Sequence, residues 1–151
     1  MEQETKVRIA QVEPVWETAH IKAASIPREV SMLRRRVMEF FNSASSLFSQ
    51  DELSDVELAV GEACLNAFKH GSPKGESDEV RVKCMKSERT LIAEVSDNGY
   101  GFNPSSIPIP SPNSLAETGI GIFLMRTIMN SVEFKFGGGT TVRLVKHCRQ
   151  R

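Results

Sequence analysis

Residues 57–71 read ELAVGEACLNAFKHG, and this stretch decides which fold the chain adopts. Between Leu58 and Phe68 the only strongly polar side chains are Glu62 and Asn66, which are four residues apart and therefore share one face of a helix. A buried polar group without a partner costs roughly 1 to 3 kcal/mol. These two side chains must meet each other, a backbone group or a ligand, and the stretch alone does not decide which.

Helix signals surround this stretch. Ser49 and Glu52 form a capping-box pattern and Gly71 follows the last periodic residue, which predicts a helix from about residue 51 to residue 70. Upstream, apolar side chains recur every three or four residues, which predicts another amphipathic helix from residue 28 to about residue 42.

The rest of the chain is mostly β-rich. Two hairpins are predicted, the first from residues 80–86 and 90–97 and the second from residues 132–136 and 140–146. Candidate strands at residues 6–12 and 20–26 precede the first helix. Residues 103–118 hold four of the seven prolines and predict a surface loop, and a third helix is expected after Gly121.

Three short glycine motifs accompany the polar helix. Residues 97–102 read DNGYGF at a predicted strand end, where glycine permits close approach of another backbone. Residues 118–121 read TGIG before a predicted helix, whose first N–H groups and dipole favour an anion such as phosphate. Residues 137–141 read GGGTT. Each motif alone is explained by a turn, but their order along the chain is far more specific.

In that order the motifs resemble the nucleotide-binding boxes of the GHKL superfamily of ATPases, over about residues 20–147. The stretches ELAVGEACLNAFKHG, VSDNGYGF and TGIGIFLMRTIMNSV are most similar to anti-sigma-factor serine/threonine kinases of the RsbW and SpoIIAB type. The expected fold is an α/β (α+β) two-layer sandwich, in which three helices cover one face of a mixed, mainly antiparallel sheet. Residues 1–19 are expected to be an extension or extra strand, and residues 148–151 a tail.

The resemblance implies roles for individual residues. Glu62 matches the carboxylate that accepts the proton of the attacking serine, and Asn66 matches the asparagine that carries Mg²⁺. Asp97 matches the acceptor of the adenine amino group, with Thr141 or Thr140 completing that contact. Arg34 matches an arginine that contacts protein partners, although a merely solvated basic helix face explains it as well. The implied nucleotide-binding set is Asn66, Asp97, Gly99, Gly101, Phe102, Thr118, Gly119, Ile120, Gly121 and Thr141.

The loop at residues 103–118 corresponds to the lid that closes over ATP, with Gly119 and Gly121 as its hinge. This loop contains no Lys or Arg, and Glu117 stands where some relatives have a basic residue. The charge of a phosphoryl-transfer transition state must then be met by Mg²⁺, by backbone amides or by a partner. This departure weighs against fast phosphoryl transfer.

The leading hypothesis is a kinase that uses ATP and Mg²⁺, binds a sigma factor as a homodimer, and phosphorylates a serine of a STAS-type anti-anti-sigma protein. The alternative is a nucleotide-binding regulatory module that binds its partner without phosphoryl transfer. A histidine-kinase catalytic domain is disfavoured, because His20 lies in a strand-like run rather than on a helix.

Composition sets further limits. Lys plus Arg and Asp plus Glu both total 19, so no global charge draws the chain to nucleic acid or to an anionic membrane. The three cysteines, Cys64, Cys84 and Cys148, lack metal-type spacing and predict reduced thiols in a cytoplasmic protein. The sequence contains no run of 18 apolar residues, so no membrane span is predicted.

Overall fold

The computed structural model describes residues 12–72, 74–99 and 117–150. One strand and two helices precede the first hairpin, and a third helix joins it to the second hairpin, which lies beside it in the sheet. The elements are β1 (Glu17–Ala24), α1 (Pro27–Phe41), α2 (Gln50–His70), β2 (Glu79–Lys86), β3 (Thr90–Ser96), α3 (Glu117–Ile128), β4 (Ser131–Phe136) and β5 (Thr140–His147).

The strands form one five-stranded sheet in the order β1-β2-β3-β5-β4, and all four pairings are antiparallel. Helix α1 packs on β1 and β2, α2 on β2, β3 and β5, and α3 on β4. Along β2, Val80, Val82 and Cys84 are buried while Arg81 and Lys83 are exposed. The helices therefore cover one face of the sheet, and the predicted two-layer α+β fold is confirmed.

Helix α2 begins with the predicted capping box. Ser49 Oγ accepts a hydrogen bond from Glu52 N at 3.1 Å, and Glu52 Oε1 accepts one from Ser49 N at 3.3 Å. The small side chains of Ala59, Ala63 and Ala67 are buried, which lets the helix backbone approach the neighbouring elements closely. The predicted boundaries of α1, α2 and both hairpins agree with the structure to within about two residues.

The core lies between the sheet and the helices. Its largest fully buried side chains include Leu33, Phe41, Leu91, Ile122 and Leu144. Cys64 and Cys84 are buried as free thiols, and burial raises the pKa of each to about 12. These two thiols are therefore protonated side chains of the core rather than reactive groups. None of the described helices has the length and apolar character needed to cross a membrane.

Two boundaries differ from the prediction. The strand expected at residues 20–26 is β1 at residues 17–24, because Ser25 N bonds Asp78 O and turns the chain toward Pro27, the first residue of α1. The strand expected at residues 6–12 lies almost entirely outside the described residues, and Val12 is not in a strand.

Helix α3 also begins earlier than predicted. Its first residue is Glu117, so Gly119 and Gly121 lie within its first turns rather than before it, and residues 117–118 are not loop. Glycine usually marks a helix end, but here Gly121 lies inside the helix, where it leaves space for the end of the Glu62 side chain of α2. The remainder of the expected loop, residues 103–116, lies outside the described part of the chain.

Two buried lysines join the layers at the end of the sheet where β3 begins. Lys86 and Lys146 both pair with Leu91 across the strands. Lys86 Nζ donates to the Phe40 carbonyl at 2.9 Å and to Ser43 Oγ, and Lys146 Nζ donates to the Ile128 carbonyl and to Asp55 Oδ2. Each ammonium group thus satisfies carbonyls at the C-terminal end of a helix, where positive charge is favourable.

We expect Lys146→Met to lower the free energy of unfolding by about 2 to 3 kcal/mol, because it keeps the buried methylene groups but leaves the Ile128 carbonyl and Asp55 without their donor. Lys135→Met, at an exposed position on the neighbouring strand β4, is the control and is expected to change little. Urea denaturation followed by circular dichroism measures both. Equal losses in the two variants would contradict the anchoring role of Lys146.

Candidate functional site

Helices α2 and α3 meet at a glycine. A Cβ added to Gly121 would lie 2.7 Å from Glu62 Oε2 and 3.7 Å from Asn66 Nδ2. Gly121 therefore lets both polar side chains of α2 face the first turns of α3. The structure brings together two motifs that the sequence places more than fifty residues apart.

Asn66 has an unsatisfied group. Among the buried nitrogen and oxygen atoms of the described side chains, its Nδ2 is the one without a hydrogen-bond partner. Leaving such a donor unpaired costs about 1 to 3 kcal/mol, so the arrangement favours a ligand that supplies the missing acceptor. The alternative that Glu62 and Asn66 satisfy each other inside the core does not account for this atom.

Asp97 lies at the end of β3 and is 8% exposed. Its Oδ1 accepts hydrogen bonds from Gly99 N at 2.8 Å and from Thr140 N at 3.2 Å, and Asp97 N donates to Thr140 O at 2.9 Å. Burial raises the pKa of Asp97, although those two backbone hydrogen bonds and the charges of Arg81 and His70 lower it in part. Asp97 is thus a hydrogen-bond acceptor that the backbone holds in place and that is largely removed from water.

The β4–β5 hairpin closes against Asp97. Gly139 has a φ of +124°, and a Cβ added there would lie 1.9 Å from the Asp97 carbonyl oxygen. Only glycine allows the turn to approach this closely. The turn thereby fixes where Thr140 meets Asp97.

A narrow cleft runs between α2, α3 and the sheet. Two of its polar groups, Asn66 and Asp97, lie among apolar walls. Apolar walls with a few placed polar groups are typical of small-molecule sites. The cleft is lined by Ala63, Asn66, Ala67, Val95, Asp97, Met125, Phe134, Thr140 and Val142.

The structure places the two adjacent candidate threonines on opposite faces of the sheet. Thr141 lies on the sheet face away from the helices, where its Oγ1 is 2.8 Å from Ser96 Oγ. Thr140 is buried and lines the cleft beside Asp97. Because side chains alternate along a strand, only one of two adjacent threonines faces the cleft. Of the two alternatives, Thr141 or Thr140, the geometry favours Thr140 as the residue beside Asp97.

The other predicted residues lie as follows. Gly99 donates to Asp97, while Gly101 and Phe102 lie outside the described residues. Thr118, Gly119 and Ile120 belong to the first turn of α3, whose N–H groups have no acceptor within the helix. This turn can donate to an anion near Glu62 and Asn66.

Arg34 on α1 lies apart from this cleft. Its Cδ would be 3.0 Å from a Cβ added to Gly61, and its Nε is 3.8 Å from Glu57 Oε1. It lines a separate groove between α1 and α2. Leu58 and Leu65, which the sequence analysis did not single out, line the same groove. The sequence could have indicated them, because α2 carries apolar residues on every side. A helix of that kind is usually covered on more than one face.

The donor set limits how a metal could bind. Within the described ranges, no cluster of three His, Cys, Asp or Glu side chains could hold an ion. Mg²⁺ commonly takes one or two protein oxygens and completes its shell with phosphate and water. Asn66 fits that mode, because its amide side chain supplies an oxygen beside the turn suited to phosphate.

Comparison with known proteins agrees with this geometry. A family model for the histidine kinase-like ATPase domain matches residues 23–146. The chain is 31% identical over 136 residues to the serine-protein kinase RsbW of Bacillus licheniformis, which is 83% of this chain and 82% of that protein. It is 30% identical over 112 residues to the serine-protein kinase RsbW of Listeria monocytogenes, which is 69% of this chain and 71% of that protein.

One solved structure shares the fold. The RsbU and RsbW domains of a Mycobacterium tuberculosis protein superpose with a TM-score of 0.61 and 19% identity. The match covers 87% of this chain and 32% of that longer chain. The sandwich described above is thus the fold of known ATPase-type domains.

We expect Gly139→Ala to lower the free energy of unfolding by more than about 3 kcal/mol, because the new methyl group collides with the Asp97 carbonyl and forces the hairpin away. Gly138→Ala is the matched control, since Gly138 also has a positive φ, +65°, but has no atom within 4 Å of an added Cβ. That control is expected to cost only about 1 to 2 kcal/mol. Equal losses measured by urea denaturation would contradict the close approach.

The raised pKa of Asp97 predicts how stability depends on pH. Folded Asp97 holds its proton more tightly than unfolded Asp97. Its contribution to the free energy of unfolding is therefore fully present below the ordinary pKa of 3.8 and is lost as pH rises through the raised pKa. Asp97→Asn removes this loss while keeping an oxygen that can accept from Gly99 and Thr140. The variant is therefore expected to gain stability relative to the parent between about pH 4 and about pH 7.

Urea denaturation across this pH range measures the difference in free energy of unfolding between the two proteins. Glu133→Gln, at an exposed position on β4, is the control for a lost carboxylate. A difference that stays constant or shrinks as pH rises would show that burial does not raise the pKa of Asp97.

Proposed function

Because the chain belongs to the histidine kinase-like ATPase family and, within it, to the RsbW-like anti-sigma serine kinases, we propose that it binds ATP with Mg²⁺ between α2 and α3. In this proposal it transfers the γ-phosphate to a serine of a STAS-type anti-anti-sigma protein. It also binds a sigma factor, acts as a cytoplasmic homodimer, and exchanges one partner for the other when the antagonist is phosphorylated.

The observation that carries the proposal is the contact between α2 and α3. Gly121 leaves room for Glu62 Oε2 and Asn66 Nδ2 beside the first turn of α3. This turn offers N–H groups to phosphate, while α2 offers one carboxylate and one amide at the same place. The proposal therefore assigns a proton acceptor, a metal ligand and an anion site to the contact between α2 and α3.

The base of the nucleotide is assigned to the sheet end of the cleft. The buried Asp97 carboxylate accepts the adenine amino group, and its backbone contacts with Gly99 and Thr140 keep it in place. The apolar side chains of Val95, Met125 and Val142 contact the flat faces of the ring. A base without an amino group at this position would offer the Asp97 carboxylate no donor in addition to Gly99 N and Thr140 N, which disfavours such a base.

The phosphates are assigned to the α2–α3 end. Asn66 would hold Mg²⁺ through its side-chain oxygen, and its Nδ2 would donate to a phosphate oxygen, which would satisfy this buried donor. When bound, Mg²⁺ neutralises charge on the phosphates during transfer. The N–H groups of Thr118, Gly119 and Ile120 donate to the same phosphates.

Glu62 is assigned as the general base. The serine Oγ forms its bond to the γ-phosphorus while the bond from that phosphorus to the bridging oxygen breaks and ADP leaves. Glu62 accepts the serine proton in this step, for which it must come within about 2.6 to 3.2 Å of the hydroxyl. Its place beside Gly121 puts the carboxylate next to the phosphate-binding turn.

One observation favours a second candidate function. Residues 103–118 contain no Lys or Arg, and cations at such positions contribute orders of magnitude to phosphoryl transfer. A module that binds ATP only to shape its partner surface would need no such cation. Glu62 favours the kinase, because nucleotide binding alone does not require a carboxylate beside the phosphates.

Transfer of labelled γ-phosphate from ATP and Mg²⁺ to a panel of STAS-domain proteins from the same genome tests the proposal. Glu62→Gln is expected to lower transfer at least about 100-fold, because the amide cannot accept the proton, while the dissociation constant for ATP changes less than about threefold. Glu39→Gln, at an exposed position on α1, is the control and is expected to keep full activity.

ATP binding without transfer to any protein of the panel would favour the binding module. Failure of the parent to bind ATP would overturn the assignment of the cleft itself. Glu62→Gln with undiminished transfer would remove Glu62 as the base.

A further inference from the structure

Asp78 is a buried residue at which three segments of the chain meet. It follows the short 3₁₀ turn Gly75–Ser77, directly precedes β2, and is 4% exposed. Its Oδ2 accepts a hydrogen bond from Lys74 N at 2.6 Å, its Oδ1 accepts one from Asn98 Nδ2 at 3.2 Å, and its carbonyl accepts one from Ser25 N at 2.8 Å. Carboxylates are seldom buried without partners, and these contacts explain how this one is accommodated.

Asn98 connects the Asp78 carboxylate to a cation. Its Nδ2 donates to Asp78 Oδ1, while its Oδ1 accepts from Arg81 Nη1 at 3.1 Å. An ionised carboxylate can only accept hydrogen bonds and a guanidinium can only donate them. The two neighbours therefore fix the direction in which the Asn98 amide points, and both of its polar ends are held.

Asn98 is also the central residue of the turn that holds Asp97. Asp97 Oδ1 accepts from Gly99 N, two residues further along the chain, which is an Asx-turn. The backbone of this turn is held at one more point, because Asn98 N donates to Gly71 O at 3.2 Å. Space beside the turn is small, since a Cβ added to Gly71 would lie 2.2 Å from Asp97 Cγ. A displacement of Asn98 therefore moves Gly99 N and, with it, the carboxylate that Gly99 N holds.

We propose that Asp78 is a positioning residue, which holds the Asp97 carboxylate in place for its ligand by fixing Asn98. This role rests on the proposed function, in which the ligand group is the adenine amino group. It adds to that function a residue outside the lining of the cleft. A hydrogen bond weakens steeply as its angle departs from linear, so a small rotation of Asp97 weakens the contact with the base. The phosphate contacts at α2 and α3 are not affected by such a rotation.

The test measures how well a protein distinguishes ATP from inosine triphosphate, in which an oxygen replaces the amino group of the base. Asp78→Asn keeps the size of the side chain and an oxygen for Lys74 N, but its amide group then faces Asn98 Nδ2, so that two donors oppose each other. Rotation of the Asn98 amide by a half-turn would instead point its donor at Arg81. The ratio of the two dissociation constants is expected to fall about tenfold, because ATP binds more weakly.

The double variant Asp78→Asn with Asn98→Asp reverses this hydrogen bond instead of removing it. The amide at position 78 donates to the new carboxylate at position 98, whose other oxygen accepts from Arg81 Nη1. This variant is expected to restore the ratio to within about threefold of the parent.

Two further variants separate positioning from stability. Asn98→Ala removes the contact at an exposed position and leaves the buried side chain unchanged, so it is expected to lower the ratio as Asp78→Asn does. Lys146→Met lowers stability at the other end of the sheet, and it is expected to lower Tm but leave the ratio unchanged.

An unchanged ratio in Asp78→Asn and Asn98→Ala overturns the positioning role and leaves the binding of ATP intact. A ratio that falls in Asp78→Asn but is not restored by the double variant overturns it too, because Asp78 then does not act through Asn98. An equal fall in Lys146→Met shows a general effect of lowered stability and has the same consequence.

A parent that does not bind ATP, or does not distinguish it from inosine triphosphate, refutes the assignment of adenine to Asp97. Hydrogen exchange of the Gly99 and Thr140 amides, measured by NMR, then decides the positioning role, because both amides donate to Asp97 Oδ1. Faster exchange of these amides in Asp78→Asn, reversed in the double variant, supports the role. Unchanged exchange overturns it.

Discussion

Helix α2 contacts the sheet below it, α1 along one side and α3 along the other, so the side chains that face these neighbours have little free space. Ala59, Ala63 and Ala67 let it approach its neighbours, but a carboxylate or amide can lie only where a neighbour leaves space. Gly121 of α3 leaves such a space for Glu62 and Asn66. The position of the candidate site follows from this packing constraint.

The two ends of the sheet differ in how their polar groups are satisfied. Where β3 begins, Lys86 and Lys146 are buried but donate to helix carbonyls and pair with carboxylates. Where β3 ends, Asn66 Nδ2 has no partner among the described residues and burial raises the pKa of Asp97. The first end stabilises the fold and the second end costs stability, which is typical of a site that a ligand completes.

The sequence predicted those features that depend on local patterns. The capping box at Ser49, the apolar periodicity of α1 and the two hairpins are local, and each agrees with the structure. The strand order β1-β2-β3-β5-β4 depends on long-range pairing and was not predicted. The choice between Thr140 and Thr141 depends on strand register, since a shift of one residue reverses the face of a side chain. Gly121 was predicted to precede a helix, because glycine is usual at helix ends. Its contact with Glu62 of α2 is a long-range contact, which the local sequence does not reveal.

Glu62 lines the groove between α1 and α2 as well as facing Gly121 of α3, and this position has a consequence for regulation under the proposed kinase function. Any protein seated in the groove between α1 and α2 covers the approach to Glu62, whether or not it presents a serine. A partner without a serine at that place would be held without being modified, and a substrate would have to displace it. Two ligands that compete for one groove shift each other's occupancy only by their difference in affinity. The absence of Lys and Arg from residues 103–118 bears on the transfer step, because a partner that brings its own cation would supply the missing charge. Exchange of partners would then follow from sterics and charge at one site, with no second conformation of the fold required.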